Sequence, residues 1–284
     1  MRYNAFTTQL TDQFFKLFMP LLTIGLRWLR WFSIAAVFGY ALSYFELSYR
    51  PFWVHFITGV ALWFFVETIY NLMAIRVLST SDHSLFPNFR DNQQGSVYPA
   101  DKKFIRTREW LSKHGFHKLR ALTAEIVEGY ELKTFTYQSE DCCTRIQIYF
   151  IPSARSGIKE YFSIMSRDDK GCIWLSENLT HPFGGYYPDN WIVKRSPLTS
   201  SIKNLLKKHK VIVSKSNALL VPFSSSVLEE VNAMQSELKH FNQKIGFLTP
   251  QNELKISQEG RYRIWKEMWL LAYLGCTVQY KLAR

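Results

Sequence analysis

Cysteine is scarce in this sequence: 284 residues contain four, and no CxxC pair occurs. Adjacent residues of a strand point to opposite faces, so Cys142 and Cys143 suit neither a shared metal ion nor a simple disulfide. Cys172 and Cys276 lie apart from them in the chain. The pattern indicates a reducing compartment in which thiols serve as small apolar side chains.

The motifs of common catalytic and nucleotide-binding sites are also missing. The sequence has no Walker loop, GxGxxG, HExxH, GxSxG or DxDxDG motif. His114 and His117 have the spacing of metal ligands, but Gly115 lies between them where a helix is predicted to end. The sequence therefore predicts no metal site, no cofactor and no catalytic residue. It leaves an enzymatic activity open without favouring one.

Acidic residues are outnumbered, with 23 Asp and Glu against 35 Lys and Arg and a formal net charge of +12. Residues 1–95 contain seven of the basic and five of the acidic residues, so most of the excess belongs to residues 96–284. Such a surface is attracted to anionic lipid headgroups. The basic residues are scattered and no recognition module for nucleic acid occurs, so the expected partner is the lipid bilayer rather than nucleic acid.

Two long apolar runs are the main feature that the sequence does contain. They read WFSIAAVFGYALSYF over 31–45 and FWVHFITGVALWFFVETIYNLMAI over 52–75. At about 1.5 Å per residue, the second run can cross a hydrocarbon core of about 30 Å. The first run reaches that length if the residues before it are added and their arginines extend to the interface. We predict a two-helix transmembrane hairpin over residues 27–76.

The flanks of the hairpin predict its orientation. Residues 1–26 have apolar side chains at helical spacing, which is typical of an amphipathic helix lying along the membrane and redirected near Pro20, or of a ragged start to the first span. Basic residues flank the hairpin at both outer ends, whereas the turn between its helices carries Arg50 alone. By the positive-inside rule, the protein lies in an inner (cytoplasmic) membrane with both termini in the cytoplasm.

A stripe of small residues lies on the first apolar run. Ala35, Gly39 and Ser43 are four residues apart, a spacing that lets another helix approach closely. That helix is either the second span or a span of a partner, so a membrane-protein partner or self-association is expected.

An acidic residue, Glu67, lies inside the second apolar run, where a carboxylate needs a partner. Antiparallel packing of the two runs brings Arg27 or Arg30 to a similar depth. We therefore predict an intramembrane ion pair between Glu67 and one of these arginines.

The remainder of the chain predicts a linker over 77–100 and a cytosolic α+β domain over 101–284. Residues 77–100 are rich in Ser, Asp, Asn and Pro. From about 119 to 178 the apolar period changes from 3.6 to 2, which predicts about five short strands. Their connections are too short for crossover helices, so we expect an antiparallel meander flanked by helices, with one face packed on them.

Helical periodicity returns in 196–210, 224–246 and 257–276, and the run VIVSKSNALLVPF after the first of these is predicted to form short strands. Apolar residues between Val227 and Ile245 alternate at spacings of four and three. Such a seam belongs either to a domain core or to a coiled-coil interface.

The loop HPFGGYYPDNW (181–191) combines two glycines, two prolines and four aromatic residues. Rigid aromatic surface of this kind lines a pocket or an interface, or it folds under the sheet. The candidate ligand pocket combines five residues of the loop with Tyr161 or Trp174 of the sheet: His181, Tyr186, Tyr187, Asp189 and Trp191.

Three functions are compatible with these features. The first is a two-pass membrane protein with a cytosolic binding domain, acting as an accessory, scaffold or sensor component of a membrane complex without catalysis of its own. The second is a membrane-tethered enzyme or ligand sensor with a pocket under loop 181–191. The third is a homo-oligomeric membrane effector that assembles through its spans and the 227–245 seam.

Overall fold

The computed structural model describes residues 2–81, 85–92, 102–127, 130–153, 157–216, 218–224, 226–249 and 255–280. Within these residues the chain is α+β, with six α-helices, a short π-helix and a mixed eight-stranded sheet. The helices are α1 Arg2–Tyr44, α2 Phe52–Thr80, α3 Lys102–Lys113, α4 Ile202–Ser214, α5 Val227–Lys244, α6 Gln258–Met268 and the π-helix Trp269–Tyr273. The strands are β1 Arg90–Asp91, β2 Phe116–Val127, β3 Tyr130–Ser139, β4 Arg145–Ser153, β5 Gly157–Arg167, β6 Ile173–Glu177, β7 Trp191–Arg195 and β8 Val278–Tyr280.

The sheet is a mixed sheet whose strand order follows the chain. β1 to β6 pair antiparallel, so the predicted meander is confirmed for β2 to β6. β7 then pairs parallel to β6, and β8 pairs antiparallel to β7. The parallel pair was not predicted because we required a crossover helix. A loop of about a dozen residues is long enough for the crossover.

Both faces of the sheet are covered, although the sequence predicted helices on one face. On the first face, α3 and α4 pack over aromatic and aliphatic side chains of β3, β4 and β5, including Phe135, Ile148 and Phe162. On the second face, α5 and the segment around Phe86 and Phe89 close over the sheet. Polar side chains that alternate with the apolar ones of the first face are therefore enclosed as well.

Helix α4 extends into the segment VIVS, which was predicted as strand. The buried residues Ile202, Leu205, His209 and Val213 continue the helical stripe through this segment. On α5, Val227, Val231 and Leu238 are buried, whereas Ile245 at its C-terminal cap is exposed. The 227–245 seam therefore belongs largely to the domain core.

Helices α1 and α2 pack against each other as an antiparallel pair. A Cβ added to Gly59 would lie 3.1 Å from Cα of Ala35, and one added to Gly39 would lie 3.2 Å from the backbone nitrogen of Phe56. Among the described residues, α2 is the one helix that is long and apolar enough to cross a membrane. The α1 helix runs without interruption through residue 26, the predicted end of the interfacial segment, and α2 continues four residues past residue 76.

The last part of the chain attaches this helix pair to the domain. Ile75 of α2 is buried in a cluster with Phe247, Ile256 and Ile264. The backbone nitrogen of Lys255 donates to the carbonyl of Ser79 at 2.8 Å. The C-terminal turns of α2 are thus part of the domain core.

Candidate functional site

A row of four polar side chains crosses the second face of the sheet beneath α5. The strand register places Gln147 of β4 beside Ser163 of β5, Ser163 beside Glu177 of β6, and Glu177 beside Arg195 of β7. All four residues are at least nine-tenths buried. We call these four residues the polar row. Charged and polar groups are stable at this burial only when they are paired, so their partners define the site.

Arg195 is the centre of the hydrogen bonds in the polar row. Its Nε donates to Oε2 of Glu177 at 3.0 Å, and Ser163 donates to the other carboxylate oxygen at 3.2 Å. Its Nη2 donates to the Tyr187 hydroxyl and its Nη1 to the His181 carbonyl, each at 3.0 Å. Burial alone would lower the pKa of Arg195, but the surrounding Tyr187 and the carboxylates outweigh it and raise that pKa well above its ordinary value.

Two phenols extend the polar row. Burial raises the pKa of Tyr187 and of Tyr149, with Glu177 adding to the shift in both, so both hydroxyls are neutral at physiological pH. Tyr149 donates to the amide oxygen of Gln147 at 2.5 Å. The phenols therefore act as hydrogen-bonding groups rather than as bases.

A cavity of about 190 Å³, which we call the inner cavity, lies between the polar row and α5. Its apolar walls come from the sheet, α5, the loop between β6 and β7, and the segment after α2: Met165, Leu175, Val231, Met234, Leu238, Phe183, Leu85, Phe86 and Phe89. A buried donor on its lining, Nε1 of Trp191, has no partner among the described residues. An unpaired buried donor is costly, so this ring nitrogen favours an acceptor inside the cavity.

The loop candidates predicted from sequence are divided between two sites rather than brought together. Tyr187 and Trp191 line the inner cavity. Together with Tyr186 and Asp189 they also line a groove of about 510 Å³, the outer groove, which Trp174 shares. His181 lies in neither lining, and its ring contacts that of Tyr161 at 5.5 Å.

Sequence reasoning missed the polar row and Glu267, which are the most highly connected groups of the site. The sequence does alternate polar and apolar residues in β4, but we predicted helices on only one face of the sheet. In the structure, α5 covers the polar positions on the second face. The alternation in β4, together with the amphipathic pattern of the α5 segment, could have predicted this cover from the sequence.

Glu267 of α6 fixes the loop between β6 and β7. Its Oε2 accepts hydrogen bonds from the backbone nitrogens of Phe183 at 2.8 Å and Gly184 at 3.0 Å. The same oxygen lies 3.9 Å from Nη1 of Arg195. One carboxylate thus joins α6 to both the loop and the polar row.

The π-helix that directly follows α6 contacts α1 and α2. The Tyr273 hydroxyl donates to the carboxylate of Glu67 and accepts from Asn71 at 3.2 Å. Arg27 donates to the Ala272 carbonyl at 2.8 Å, and its guanidinium lies 4.4 Å from the centre of the Tyr273 ring. Glu67 is thus bonded to a phenol, where the sequence predicted an ion pair with an arginine.

The remaining candidate residues of the hairpin are divided between buried and exposed positions. Ala35 and Gly39 are buried, and each is in close contact with α2. Ser43 and Arg30 are exposed. Ala35 and Gly39 therefore pack α1 on α2, which is one of the two roles that the sequence left open.

A separate buried histidine, His209 of α4, lies on the first face of the sheet. Its Nδ1 is 3.0 Å from the Ser176 hydroxyl and its Nε2 is 3.1 Å from the Ser166 hydroxyl. Burial lowers its pKa to about 4. No carboxylate contacts the ring among the described residues, so a proton placed there would remain an uncompensated buried charge.

His209 predicts a loss of stability in mild acid. The unfolded histidine binds a proton near pH 6.5, whereas the folded one does so only near pH 4. The free energy of unfolding should therefore fall by about 3 kcal/mol as the pH is lowered from 7 to 4. Chemical unfolding of the wild type and of His209→Gln at both pH values measures this. An equal pH dependence in the two proteins would contradict the prediction.

No metal cluster and no relative points to a function. Within the described residues, no three His, Cys, Asp or Glu side chains are grouped in a way that could hold a metal ion. Comparisons with models of known protein families, with curated proteins and with solved structures found no match to this chain. Its function is therefore inferred from geometry alone.

Proposed function

We propose that this chain is a two-pass membrane protein whose cytosolic domain senses a small uncharged ligand bound in the inner cavity. The membrane part rests on exposed apolar surface. Where the structure describes side chains, 32 large apolar ones are exposed, and 24 of these lie between Leu22 and Leu78, on α1, α2 and the turn that joins them. An exposed apolar surface of this extent is typical of contact with lipid.

Both helices of the pair would enter an inner membrane, with the turn outside and both termini in the cytoplasm. Supporting this topology are the basic residues at the outer ends of the helices and the single arginine in the turn. The domain packs on the C-terminal half of α2, which is the cytoplasmic half in this orientation.

The observation that carries the sensor function is the inner cavity with the unpaired ring nitrogen of Trp191 on its lining. Its volume of about 190 Å³ is comparable with that of engineered cavities of roughly 150 Å³ that hold benzene. Its apolar walls favour a ring or short aliphatic body, and Nε1 of Trp191 favours a hydrogen-bond acceptor on it. The ligand is therefore a compact, mainly apolar molecule with a carbonyl or ether oxygen.

The charges around the cavity indicate that the ligand is uncharged. Arg195 is paired with Glu177, and Arg145 is paired with Glu230 at 2.7 Å. A charged ligand would have to compete with these carboxylates or arginines at a buried site. The free-energy penalty of removing its charge from water would then exceed the gain from the new ion pair. For the same reason we propose binding rather than catalysis, because each charged group of the polar row already has a partner.

A structural change caused by ligand binding in the cavity would be transmitted to the membrane helices through α6. Phe183 lines the cavity, and its backbone nitrogen is held by Glu267 near the end of α6. The π-helix that follows is bonded through Tyr273 to Glu67 of α2. A shift of the loop would therefore change the position of α6 and its contacts with the helix pair, as a sensor requires.

The other two functions have less support. Ala35 and Gly39, two of the three residues of the small-residue stripe, pack α1 on α2 and are therefore not free to bind a partner span. The 227–245 seam is mostly buried in the core, so it offers little surface for assembly.

Filling the inner cavity tests the sensor function. Met234 is half-buried on its wall, and Met234→Trp should occupy the space that the ligand needs. In the detergent-solubilised full-length protein, we expect uncharged single-ring carbonyl compounds to raise the melting temperature. Their affinity for Met234→Trp should be at least about tenfold lower, a loss of about 1.4 kcal/mol.

The matched control is Met234→Leu, which conserves volume and should bind within about threefold of the wild type. Equal affinity of the wild type and Met234→Trp would show that the compounds bind elsewhere. Absence of any stabilising compound in such a set would contradict the predicted ligand class.

A further inference from the structure

The outward face of α4 is basic along its whole length. It carries four lysines, with a fifth at the C-terminal cap: Lys203, Lys207, Lys208, Lys210 and Lys215. All five are exposed, and α4 contains no acidic residue. The opposite side of the helix is buried on the sheet, so the lysines lie on the side of α4 that faces away from the sheet.

These lysines are not neutralised by the domain itself. Among the described residues, none of the five has a carboxylate partner within salt-bridge distance, and Lys208 donates instead to the Thr199 hydroxyl at 2.7 Å. Partial burial and the nearby charge of Lys194 lower the pKa of Lys208. Lysines without a carboxylate partner gain from an anion placed over them.

The start of α4 lies beside the helix pair. A Cβ added to Gly275 would lie 2.6 Å from the side chain of Ile24 in α1 and 2.9 Å from that of Leu198. Leu198 precedes the first residue of α4 by four positions. Ile24 lies one turn from Trp28, whose ring nitrogen donates to the Tyr273 carbonyl.

This contact places α4 at the cytoplasmic end of the proposed span. The span of α2 from Phe52 reaches about 30 Å near Asn71, which is bonded to Tyr273. The point where Ile24, Leu198 and Gly275 meet is therefore close to the level of the headgroups. Lys203 and Lys207 belong to the first two turns of α4, the part of the helix that follows this point in the chain.

We infer that the outward lysines of α4 bind the headgroups of anionic phospholipids in the leaflet at which α1 begins and α2 ends. The inference rests on the membrane insertion proposed above and adds a defined contact surface to it. Anionic lipid is favoured over nucleic acid because the basic face adjoins the helix pair that would lie in the bilayer. Each lysine close to such a surface adds to the attraction.

Lysine labelling in lipid nanodiscs tests the contact. The full-length protein is placed in discs of zwitterionic lipid or of the same lipid with about 30% anionic lipid, and amine labelling is measured at each lysine by mass spectrometry. We expect labelling of Lys203 and Lys207 to be at least about threefold slower in the anionic discs. High salt should remove the difference, because it screens charges that are exposed to solvent.

Lys239 and Lys244 of α5 are exposed lysines away from α4 and provide internal controls. Their labelling should be the same in both kinds of disc. The triple variant Lys203→Gln, Lys207→Gln and Lys210→Gln should lose most of the anionic lipid that co-purifies with the wild type. A variant of equal charge change, Lys239→Gln, Lys244→Gln and Lys266→Gln, should keep it.

Three results would overturn the inference. Equal labelling of Lys203 and Lys207 in both kinds of disc, with the protein inserted, would show that α4 does not contact anionic lipid. Protection of these lysines by a short RNA in zwitterionic discs, without protection by anionic lipid, would assign the surface to nucleic acid. Failure of the protein to enter either disc would overturn the membrane proposal itself, and the lipid contact with it.

Discussion

Replacement of Arg195 by methionine is expected to lower the free energy of unfolding by about 3–5 kcal/mol, the largest effect of any single substitution considered for this protein. Methionine has a similar length and is apolar, so the packing loss is small. The cost comes from Glu177 and Glu267, which would be left as buried carboxylates without their cation. Chemical unfolding of the wild type and of Arg195→Met in the same detergent measures the difference.

A double variant separates the lost charge pair from the lost side chain. Adding Glu177→Gln to Arg195→Met removes one of the two stranded charges. It should recover at least about 1 kcal/mol relative to Arg195→Met alone, because the effects of paired residues do not add. If the double variant were less stable than Arg195→Met, the ion pair could not be the source of the stability.

Gly184→Ala is expected to have the second-largest effect, about 2–4 kcal/mol. Gly184 has a φ of +68°, which L residues other than glycine rarely adopt. A Cβ at this position would also lie 2.2 Å from Cγ1 and 3.0 Å from the backbone nitrogen of Ile264 on α6. Either the loop or α6 must move, and the hydrogen bonds to Glu267 would be strained in both cases.

Gly171→Ala is the matched control for this clash. Gly171 has a φ of +78°, but no heavy atom lies within 4 Å of an added Cβ. The free energy of unfolding of Gly171→Ala should therefore fall only by the backbone strain of a non-glycine residue at positive φ, about 1 kcal/mol. The difference between the two variants in chemical unfolding gives the cost of the contact with Ile264. Equal losses would mean that the loop does not press on α6 as the structure has it.

The part of the sheet that the sequence predicted is the part with local connections. β2 to β6 alternate in hydrophobicity and are joined by short turns such as Asp168–Gly171, so each strand lies next to its predecessor. β7 and β8 have only five and three residues. β8 pairs with β7 across a stretch of chain that contains α4, α5 and α6, and periodicity in a short window carries no information about such distant pairing.

The site was predictable to a smaller degree, for a related reason. Tyr187 and Trp191 belong to a loop whose composition is unusual by itself. The polar row becomes visible only when Gln147, Ser163 and Arg195 are aligned by pairing across four strands and then covered by α5. Each of these residues alone is ordinary for a strand with one face in water.

The burial of Ile75 and Ser79 has a consequence for how the domain is held. α2 has 29 residues and is about 43 Å long, whereas a hydrocarbon core takes up about 30 Å. In the proposed membrane orientation, the remaining 13 Å or so of α2 would extend out of the bilayer as rigid helix, and the domain packs directly on this part of the helix. The distance of the domain from the lipid and its rotation about the axis of α2 would then both be fixed. A binding partner would therefore always encounter the domain in the same position and orientation relative to the membrane.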